Sequence, residues 1–244
     1  MVMTVWLENA DYADAIERLP ESCVDMVFAD LPYGITQNAW DTPVDLDTMW
    51  QKLRRVCTRD AALIFTAVQP FTSELVLSNA RAFKYSMVWH KNKATGFLNA
   101  NRRPLRAHED ILVFCHGKLY YEPVKTTGHS PVHSYTKRKG DGRCYGRTTQ
   151  VSGGGSTERH PTTVLAVPVH NGQRINSTQK PEALAAWFIT AHSRPGQLIL
   201  DPTCGSASTL AAAYDLDRNA VGFELDRSMY VKAAAALRAR GVIW

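Results

Sequence analysis

The amino-acid sequence predicts an α/β fold built around a mostly parallel central sheet. Strand-like and helix-like segments alternate through residues 4–115 and again from residue 178 to the end, and a basic, glycine-rich stretch separates the two series. Such alternation places helices on both faces of a parallel sheet. Ligands of these folds bind beyond the carboxyl ends of the strands, so the residues that follow each strand are the first candidates for function.

Hydrophobic periodicity sets the expected elements. Val24–Ala29, for example, is apolar except for Asp25 and has the length of a buried strand. The expected strands are Thr4–Leu7, Val24–Ala29, Ala61–Ala67, Tyr85–His90, Ile111–Cys115, Leu198–Leu200 and Ala220–Phe223. The expected helices are Tyr12–Leu19, Leu46–Val56, Phe71–Ala80, Pro181–His192, Ser206–Tyr214 and Arg227–Arg240.

Composition excludes several classes of protein. The chain has 244 residues, of which 45% are hydrophobic and 21% charged, which suits one full domain with a small insertion and not a disordered or fibrous chain. No apolar run approaches the roughly 18–20 residues of a membrane span, and the first residues lack the pattern of a secretory signal. Five scattered cysteines without a C-x-x-C pair indicate neither a disulfide framework nor a thiolate zinc site. We expect a soluble cytoplasmic protein.

Positive charge is concentrated in the middle of the chain. Residues 81–160 hold 15 Lys and Arg against 5 Asp and Glu, whereas the remainder holds 13 against 18. A basic segment on an acidic body is typical of a protein that binds a polyanion such as nucleic acid, although a merely solvated basic surface would look the same. The cations predicted to contact the nucleic acid are Lys91, Lys93, Arg102, Arg103, Arg106, Lys137, Arg138 and Lys139, with Trp89 among the first group.

The segment from Asp201 to Glu224 has the form of a nucleoside-binding βαβ unit. A strand runs into a turn of small residues around Gly205, a helix follows, and Glu224 ends the next strand, where it could accept hydrogen bonds from both ribose hydroxyls. The G-x-G-x-x-G loop that grips a pyrophosphate is absent, which favours an adenosine cofactor without phosphates over NAD. Asp201 alone could also be an ordinary helix-capping acid.

The turn Asp30-Leu31-Pro32-Tyr33 follows another predicted strand. An exocyclic amine on a nucleobase is a poor nucleophile, and acceptors aimed at its hydrogens stabilise the positive charge that develops on nitrogen. The Asp30 carboxylate and the Leu31 carbonyl, held extended by Pro32, could supply these acceptors. The Tyr33 ring could stack on a base, which is worth about 1–3 kcal/mol. An ordinary β-turn would have the same sequence.

Taken together, these motifs resemble the amino-group DNA methyltransferases, which methylate adenine N6 or cytosine N4. The turn at Asp30 resembles that family's Asp-Pro-Pro-Tyr, the segment 201–209 its cofactor loop, and Ser177-Thr178-Gln179-Lys180-Pro181 its Thr-Gln-Lys-Pro element. Asn9-Ala10-Asp11 resembles its acidic turn near the cofactor adenine, and the stretch 108–114 resembles the strand before its target-recognition region. The order of the motifs matches the permuted β group. Leu31 and Ala207 depart from the family pattern, in which proline and glycine stand at these positions.

The resemblance implies a Rossmann-like methyltransferase with S-adenosylmethionine as cofactor and double-stranded DNA as partner, in the DNA methylation of restriction–modification. It implies a catalytic half at 1–115, a target-recognition insertion at 116–170 and a cofactor-binding half at 171–244. The implied catalytic residues are Asp30, Leu31, Pro32 and Tyr33. The implied cofactor residues are Asp11, Asp30, Gln179, Lys180, Asp201, Thr203, Gly205, Ser206 and Glu224, with Lys180 at the methionine end and Glu224 at the ribose. β-group relatives are often dimers, so a homodimer is also possible.

Asp at the first catalytic position favours adenine N6 over cytosine N4, where Ser is common. Methylation of cytosine N4 or of an RNA base, a non-catalytic DNA-binding protein regulated by the cofactor, and an NAD-dependent dehydrogenase remain alternatives. Cytosine C5 chemistry is disfavoured because no Pro-Cys pair occurs, and no metal is expected, since Pro131 interrupts the His129–His133 spacing. His108 is expected to be a wall or strand-start residue, and the rings of Trp6, Trp50, Trp187 and Phe188 are expected in the core.

Overall fold

The structure is a computed structural model that describes residues 4–33, 44–137, 141–142, 146–147, 149–169, 175 and 179–242. The chain divides into two compact units, Met1–Glu122 with Thr163–Trp244, and Pro123–Thr162. The strands are β1 (Val5–Asn9), β2 (Val24–Ala29), β3 (Cys57–Ala67), β4 (Phe83–Thr95), β5 (Arg106–Phe114), β6 (Tyr135–Lys137), β7 (Asp141–Gly142), β8 (Gly146–Arg147), β9 (Val151–Gly153), β10 (Val164–Ala166), β11 (Leu198–Asp201) and β12 (Asn219–Glu224). The α-helices are α1 (Tyr12–Ala15), α2 (Leu46–Val56), α3 (Phe71–Ser78), α4 (Glu182–His192), α5 (Ser208–Asp215) and α6 (Arg227–Ala239).

The larger unit is built on an eight-stranded sheet in the order β1-β12-β11-β2-β3-β5-β4-β10. All neighbouring pairs are parallel except β3–β5 and β5–β4, so the predicted α/β fold with a mostly parallel sheet is confirmed. From the central β11–β2 pair the chain continues to β12 on one side and to β3 on the other, so the direction of winding reverses at this pair. In sheets of this kind, the crevice that binds ligands lies beyond the carboxyl ends of the strands at such a reversal.

Alternating side chains of the central strands feed two hydrophobic cores, one on each face of the sheet. Met26 and Phe28 of β2 join a core that includes side chains of α4, α5 and α6. Val27 and Ala29 join the opposite core, to which α1, α2 and α3 contribute. Burial on both faces explains why these strands read as near-continuous apolar runs in the sequence.

Several predicted boundaries differ from the structure for local reasons. The predicted strand Tyr85–His90 belongs to the longer β4, and the predicted helix Tyr12–Leu19 becomes α1 followed by a 3-10 turn at Ile16–Arg18. The helix expected from Ser206 begins at Ser208, because Ala207 adopts a left-handed backbone with φ of 60°. Trp6 was wrongly assigned to the core: it lies on the edge strand β1 with 53% of its surface exposed.

The smaller unit, Pro123–Thr162, contains two short antiparallel pairs, β6–β9 and β7–β8. An antiparallel bridge between Thr126 and Arg159 and an ion pair of 2.9 Å between Lys125 and Glu158 also join its two ends. This unit lies within the predicted insertion 116–170, but residues 164–166 of that range form β10 of the large sheet. Within the described residues, no helix combines the length and apolar character that a membrane span requires.

Candidate active site

Asp30 follows β2 directly and lies at the centre of a hydrogen-bonded cluster. Its Oδ1 is 2.5 Å from the Tyr33 hydroxyl and 2.5 Å from Thr66 Oγ1, and these two hydroxyl oxygens are 2.9 Å apart. Two hydroxyl hydrogens serve three short contacts, so at any moment two of the three are hydrogen bonds. Burial and the charge of Asp30 raise the pKa of the Tyr33 hydroxyl well above its usual value, so Tyr33 stays protonated and can donate to the carboxylate.

The rest of the catalytic turn is anchored by packing. Leu31 is buried in the core on the α2–α3 side, and the Tyr33 ring packs against Phe71 with centroids 5.2 Å apart. The family pattern has proline at this position, which would restrict the backbone. Leu31 instead fixes the turn by packing its side chain in the core. Pro32 and Tyr33 are half-buried, so the turn lies at the border between the core and the crevice.

The second carboxylate oxygen of Asp30 accepts a hydrogen bond from Lys180, with a distance of 2.6 Å to Nζ. The same ammonium group lies 3.3 Å from Oε2 of Glu109, whose Oε1 accepts a hydrogen bond of 3.0 Å from Lys91. Burial alone would lower the pKa of Lys180, but the two carboxylates together outweigh it and leave the pKa raised. Lys180 is therefore a half-buried ammonium that links the predicted catalytic turn to β5.

This arrangement corrects the prediction for Lys91. The side chain is 5% exposed and ion-paired with Glu109, so it belongs to the buried cluster and not to a DNA-facing surface. Trp89 is also buried, with its indole N–H donating to the Val167 carbonyl at 2.8 Å. Both point inward because β4 continues past His90, and every second side chain of a strand faces the same side of the sheet.

Sequence reasoning missed two residues of this cluster, Thr66 and Glu109. Thr66 is the polar residue in the otherwise apolar, buried part of β3, Ala61–Ala67, and that position was the available signal. Glu109 is an acid near the start of a strand in a basic stretch, and its signal was an acidic side chain at the edge of the sheet where ligands bind. His108 is exposed, and its neighbour Glu109 faces the site.

The turn after β11 and the tip of β12 form a compact acidic cradle beside Asp30. Glu224 accepts hydrogen bonds from the Gly205 amide at 2.9 Å and the Asp226 amide at 2.8 Å, one on each oxygen. Asp201 accepts from the Thr203 amide at 3.2 Å, and Thr203 Oγ1 donates to the Asp30 carbonyl at 3.1 Å. The turns carrying Asp30 and Asp201 are therefore neighbours, as the predicted function requires.

The two carboxyl groups of this cradle have raised pKa values and free acceptor positions, which suit a ligand with hydroxyl groups. Burial raises the pKa of Asp201 to about 7 and raises that of Glu224 against the lowering effect of its two amide donors. Each Glu224 oxygen keeps an acceptor position beyond its amide bond. Gly205 has φ of +52° and open space where a side chain would begin, so a ligand can approach its backbone. The residues present therefore fit the adenosine part of a cofactor.

The other predicted cofactor residues lie around this cradle in different settings. Asp11 is exposed and caps α1 by accepting from the Ala13 amide, and the neighbouring Ala10 amide donates to the Glu224 carbonyl at 3.1 Å. Gln179 Oε1 accepts from the Ile175 amide at 3.1 Å, and Ser206 is buried. Ala207 occupies a left-handed conformation that glycine adopts without strain, which explains why the family pattern has glycine there.

The remaining predicted DNA contacts divide between the two units. Lys93, Arg102 and Arg103 are exposed, Arg106 is half-buried, and none of the four makes an ion pair with a described residue. Arg103 and Arg106 line a cavity of about 500 Å³ between β4 and β5, next to the Gln69–Pro70 turn after β3. Lys137 ends β6 in the smaller unit, and Arg138 and Lys139 lie outside the described residues. The described residues contain no group of three or more His, Cys, Asp or Glu side chains suited to a metal ion.

The fold is that of a Rossmann-like methyltransferase, and the predicted catalytic turn at Asp30 lies beside the predicted cofactor cradle. A family model for DNA methylases, of the N6 and N4 amino-methylating kind, matches residues 24–235. The chain therefore belongs to the N6/N4 DNA methylase family, and the resemblance drawn from the motifs is confirmed.

Individual relatives agree with this placement. The chain is 26% identical over 248 residues to the DNA adenine methyltransferase YhdJ of Escherichia coli K12, which covers 92% of this chain and 79% of that protein. Its fold is similar to that of M1.HpyAVI solved as a SAM complex, with a TM-score of 0.64 and 20% identity over 96% of this chain and all (100%) of the other. It is also similar to the cytosine-N4-specific PvuII DNA methyltransferase, with a TM-score of 0.69 and 12% identity over 95% of this chain and 86% of the other.

Proposed function

We propose that this protein methylates the N6 amine of adenine in double-stranded DNA, on a base rotated out of the stack. The observation that carries the proposal is the contact between the two turns, in which Thr203 Oγ1 donates to the Asp30 carbonyl at 3.1 Å. This contact supports a site in which an acceptor for an amine would lie next to a cradle for an adenosine cofactor. A target amine inside a duplex is out of reach of such a crevice, so the base must leave the stack.

The cofactor is S-adenosylmethionine, which when bound supplies an electrophilic methyl group on a sulfonium. Glu224 and the Gly205 turn would hold its ribose, and Asp11 would lie towards its adenine. The φ of Gly205 and the acceptor positions on Glu224 support this assignment, since a side chain at the turn or a neutral group at the strand tip would suit an adenosine less well. M1.HpyAVI, solved in complex with SAM, has the same overall fold.

Asp30 acts on the amine of the target base. Among the described residues its Oδ2 accepts only from Lys180, so one acceptor position remains on that oxygen for an amine hydrogen. The Leu31 carbonyl would take the second hydrogen, and the carboxylate would stabilise the positive charge that develops on nitrogen. The Tyr33 ring, fixed by Phe71 and by its hydroxyl, would provide the stacking surface.

Two features favour adenine as the target base. The first catalytic residue is Asp30, the acid that the resemblance associates with adenine N6. YhdJ, which matches most of the chain, is named a DNA adenine methyltransferase. Cytosine N4 is the second candidate, because the PvuII enzyme has the same fold and is named as cytosine-N4-specific.

The decisive experiment incubates the purified protein with radiolabelled S-adenosylmethionine and mixed-sequence duplex DNA. The DNA is then digested to nucleosides, and the labelled nucleoside is identified by mass. We expect N6-methyldeoxyadenosine. N4-methyldeoxycytidine would establish the second candidate, and tight DNA binding without any transfer would favour a non-catalytic binding protein. Single-stranded DNA and RNA of matched sequence test the preference for a duplex.

The exposed Arg103 and the half-buried Arg106 give a prediction about DNA affinity. We expect the double variant Arg103→Ala/Arg106→Ala to bind DNA more weakly, because it loses two cations that would contact phosphates. Each lost contact should make the plot of log K against log salt less steep by about 0.9. A salt titration of DNA binding measures this slope. The charge-matched control is Arg54→Ala/Arg59→Ala, whose arginines line a different cavity with Cys57 and His116. Equal salt slopes for the two double variants would contradict this placement of the DNA.

A further inference from the structure

Asp30 is the outermost of four charged side chains that form an ordered series of alternating sign. Lys91, Glu109, Lys180 and Asp30 follow one another with Nζ–O distances of 3.0, 3.3 and 2.6 Å. Their side chains are 5%, 14%, 13% and 31% exposed in the same order. Two ammonium groups and two carboxylates balance each other, which is the condition under which charges are tolerated away from water.

Each member comes from a different part of the sheet edge. Trp89 of β4 pairs with Glu109 of β5, and Lys91 lies two residues further along β4, on the same face as Trp89 and Glu109. Lys180 precedes α4, which packs on that face, and Asp30 follows β2. The antiparallel pairing of β4 with β5 therefore places the Glu109 carboxylate next to the Lys180 ammonium.

Glu109 has an unusual feature within this series. Its Oε2 is buried and accepts no hydrogen bond from a described residue, although Lys180 Nζ is only 3.3 Å away. A buried carboxylate oxygen without a hydrogen bond is unfavourable, and the charge of a nearby ammonium offsets part of that cost. Here Oε2 attracts the same Lys180 ammonium that donates to Asp30.

We propose that Glu109 is a positioning residue for methyl transfer, acting on Asp30 through Lys180. Held between two carboxylates, Lys180 donates to Oδ2 of Asp30 in one direction only, and the hydroxyls of Thr66 and Tyr33 fix Oδ1. The carboxylate is thereby fixed in rotation, and its remaining acceptor position points in a constant direction. This role rests on the proposed function, since it concerns the carboxylate that receives the target amine.

Removal of the Glu109 charge should loosen this arrangement without touching DNA or the cofactor cradle. For Glu109→Gln we expect kcat to fall about 10- to 100-fold, the range typical of a displacement of about 1 Å at a reacting group. The dissociation constant for S-adenosylmethionine, measured by calorimetry, should change much less than kcat, because the ribose contacts proposed for Glu224 and the Gly205 turn do not involve Lys180. Glu109→Asp, which keeps the charge, should recover part of kcat.

The pH dependence of kcat provides a readout that a merely structural role would not move. The charged or titratable groups around Lys180 are Asp30 and Tyr33 from the catalytic turn and Glu109 from β5, with Lys91 of β4 behind Glu109. Glu109 helps to raise the pKa of Lys180. Its loss therefore lowers that pKa, and the alkaline limb of the profile should move to lower pH in Glu109→Gln.

A double variant separates positioning from a simple loss of charge balance. Glu109→Gln alone leaves Lys91 buried without its carboxylate, whereas Glu109→Gln/Lys91→Met removes one charge of each sign. The melting temperature of the double variant should recover towards that of the wild type, while kcat stays low because Lys180 still lacks its second anchor. Recovery of kcat together with stability would overturn the proposal, as would a wild-type kcat in Glu109→Gln. If the wild-type protein transfers no methyl group to DNA, the proposed function fails and this role fails with it.

Discussion

Asp30→Asn is expected to reduce the rate of methyl transfer by about 10²- to 10³-fold, the range seen when one group that stabilises transition-state charge is removed. The substitution removes the negative charge at the centre of the cluster and leaves a single acceptor oxygen. If that oxygen faces Lys180, an amide N–H₂ faces the hydroxyls of Tyr33 and Thr66; if it faces the hydroxyls, the amide donors face an ammonium group. Neither orientation offers a carboxylate to the amine of the target base.

Binding of the cofactor should survive this change. The Glu224 hydrogen bonds lie at the β11–β12 end of the crevice and do not include the Asp30 side chain. Single-turnover transfer with saturating DNA and S-adenosylmethionine measures the rate, and calorimetry measures the affinity for the cofactor. Glu21→Gln is the matched control, because Glu21 is an exposed acid in the turn before β2, at the end of that strand away from Asp30. A rate near that of the wild type in Asp30→Asn would exclude the catalytic role of this carboxylate.

The parts of the site that the sequence predicted are those encoded in contiguous residues. The turn at Asp30 and the loop from Asp201 to Gly205 each follow a strand, and the carboxyl ends of parallel strands meet at one edge of the sheet. That both turns lie at the same edge therefore follows from the fold class. That they are direct neighbours was a requirement of the predicted function, and the order β11-β2 in the middle of the sheet meets it.

The parts that the sequence did not predict depend on pairing between distant strands. Glu109 reaches Lys180 only because β5 runs antiparallel between β3 and β4, which brings the start of β5 to the active-site edge. The inward direction of Lys91 follows from the extension of β4 to Thr95, and a run of cations gives no sign of that extension. A period-2 pattern starting from the buried Trp89 would have placed Lys91 on the inner face and was the available signal.

The strands at the two edges of the sheet were also predicted less well from the sequence. Trp6 is exposed because β1 is an edge strand, with alternating buried and exposed residues that composition alone does not reveal. The three residues of β10 were not predicted as a strand. The segment is short, Val164 is exposed, and its strand conformation depends on pairing with β4. Propensity is weak information for such short edge segments, because the partner strand decides their conformation.

Glu224→Ala is expected to weaken binding of S-adenosylmethionine by about 10²-fold or more. A hydrogen bond to a charged group contributes about 1.5–3 kcal/mol, and the variant removes both acceptors that the carboxylate would offer to the ribose hydroxyls. The amides of Gly205 and Asp226 also lose their acceptor, so the turn that approaches the cofactor is released. Calorimetric titration with S-adenosylmethionine or its demethylated product measures the loss.

The dependence of the rate on the concentration of S-adenosylmethionine distinguishes Glu224→Ala from Asp30→Asn. Because the proposed role of Glu224 is to hold the ribose, a saturating concentration of S-adenosylmethionine should restore most of kcat in Glu224→Ala, whereas no concentration should restore it in Asp30→Asn. Glu8→Ala is the control: Glu8 lies on the neighbouring strand β1, opposite Phe223, and its carboxylate is ion-paired with Arg18. A cofactor affinity in Glu224→Ala equal to that of Glu8→Ala would show that the cofactor ribose is held elsewhere, and the crevice between β11 and β2 would lose its assignment as the cofactor site.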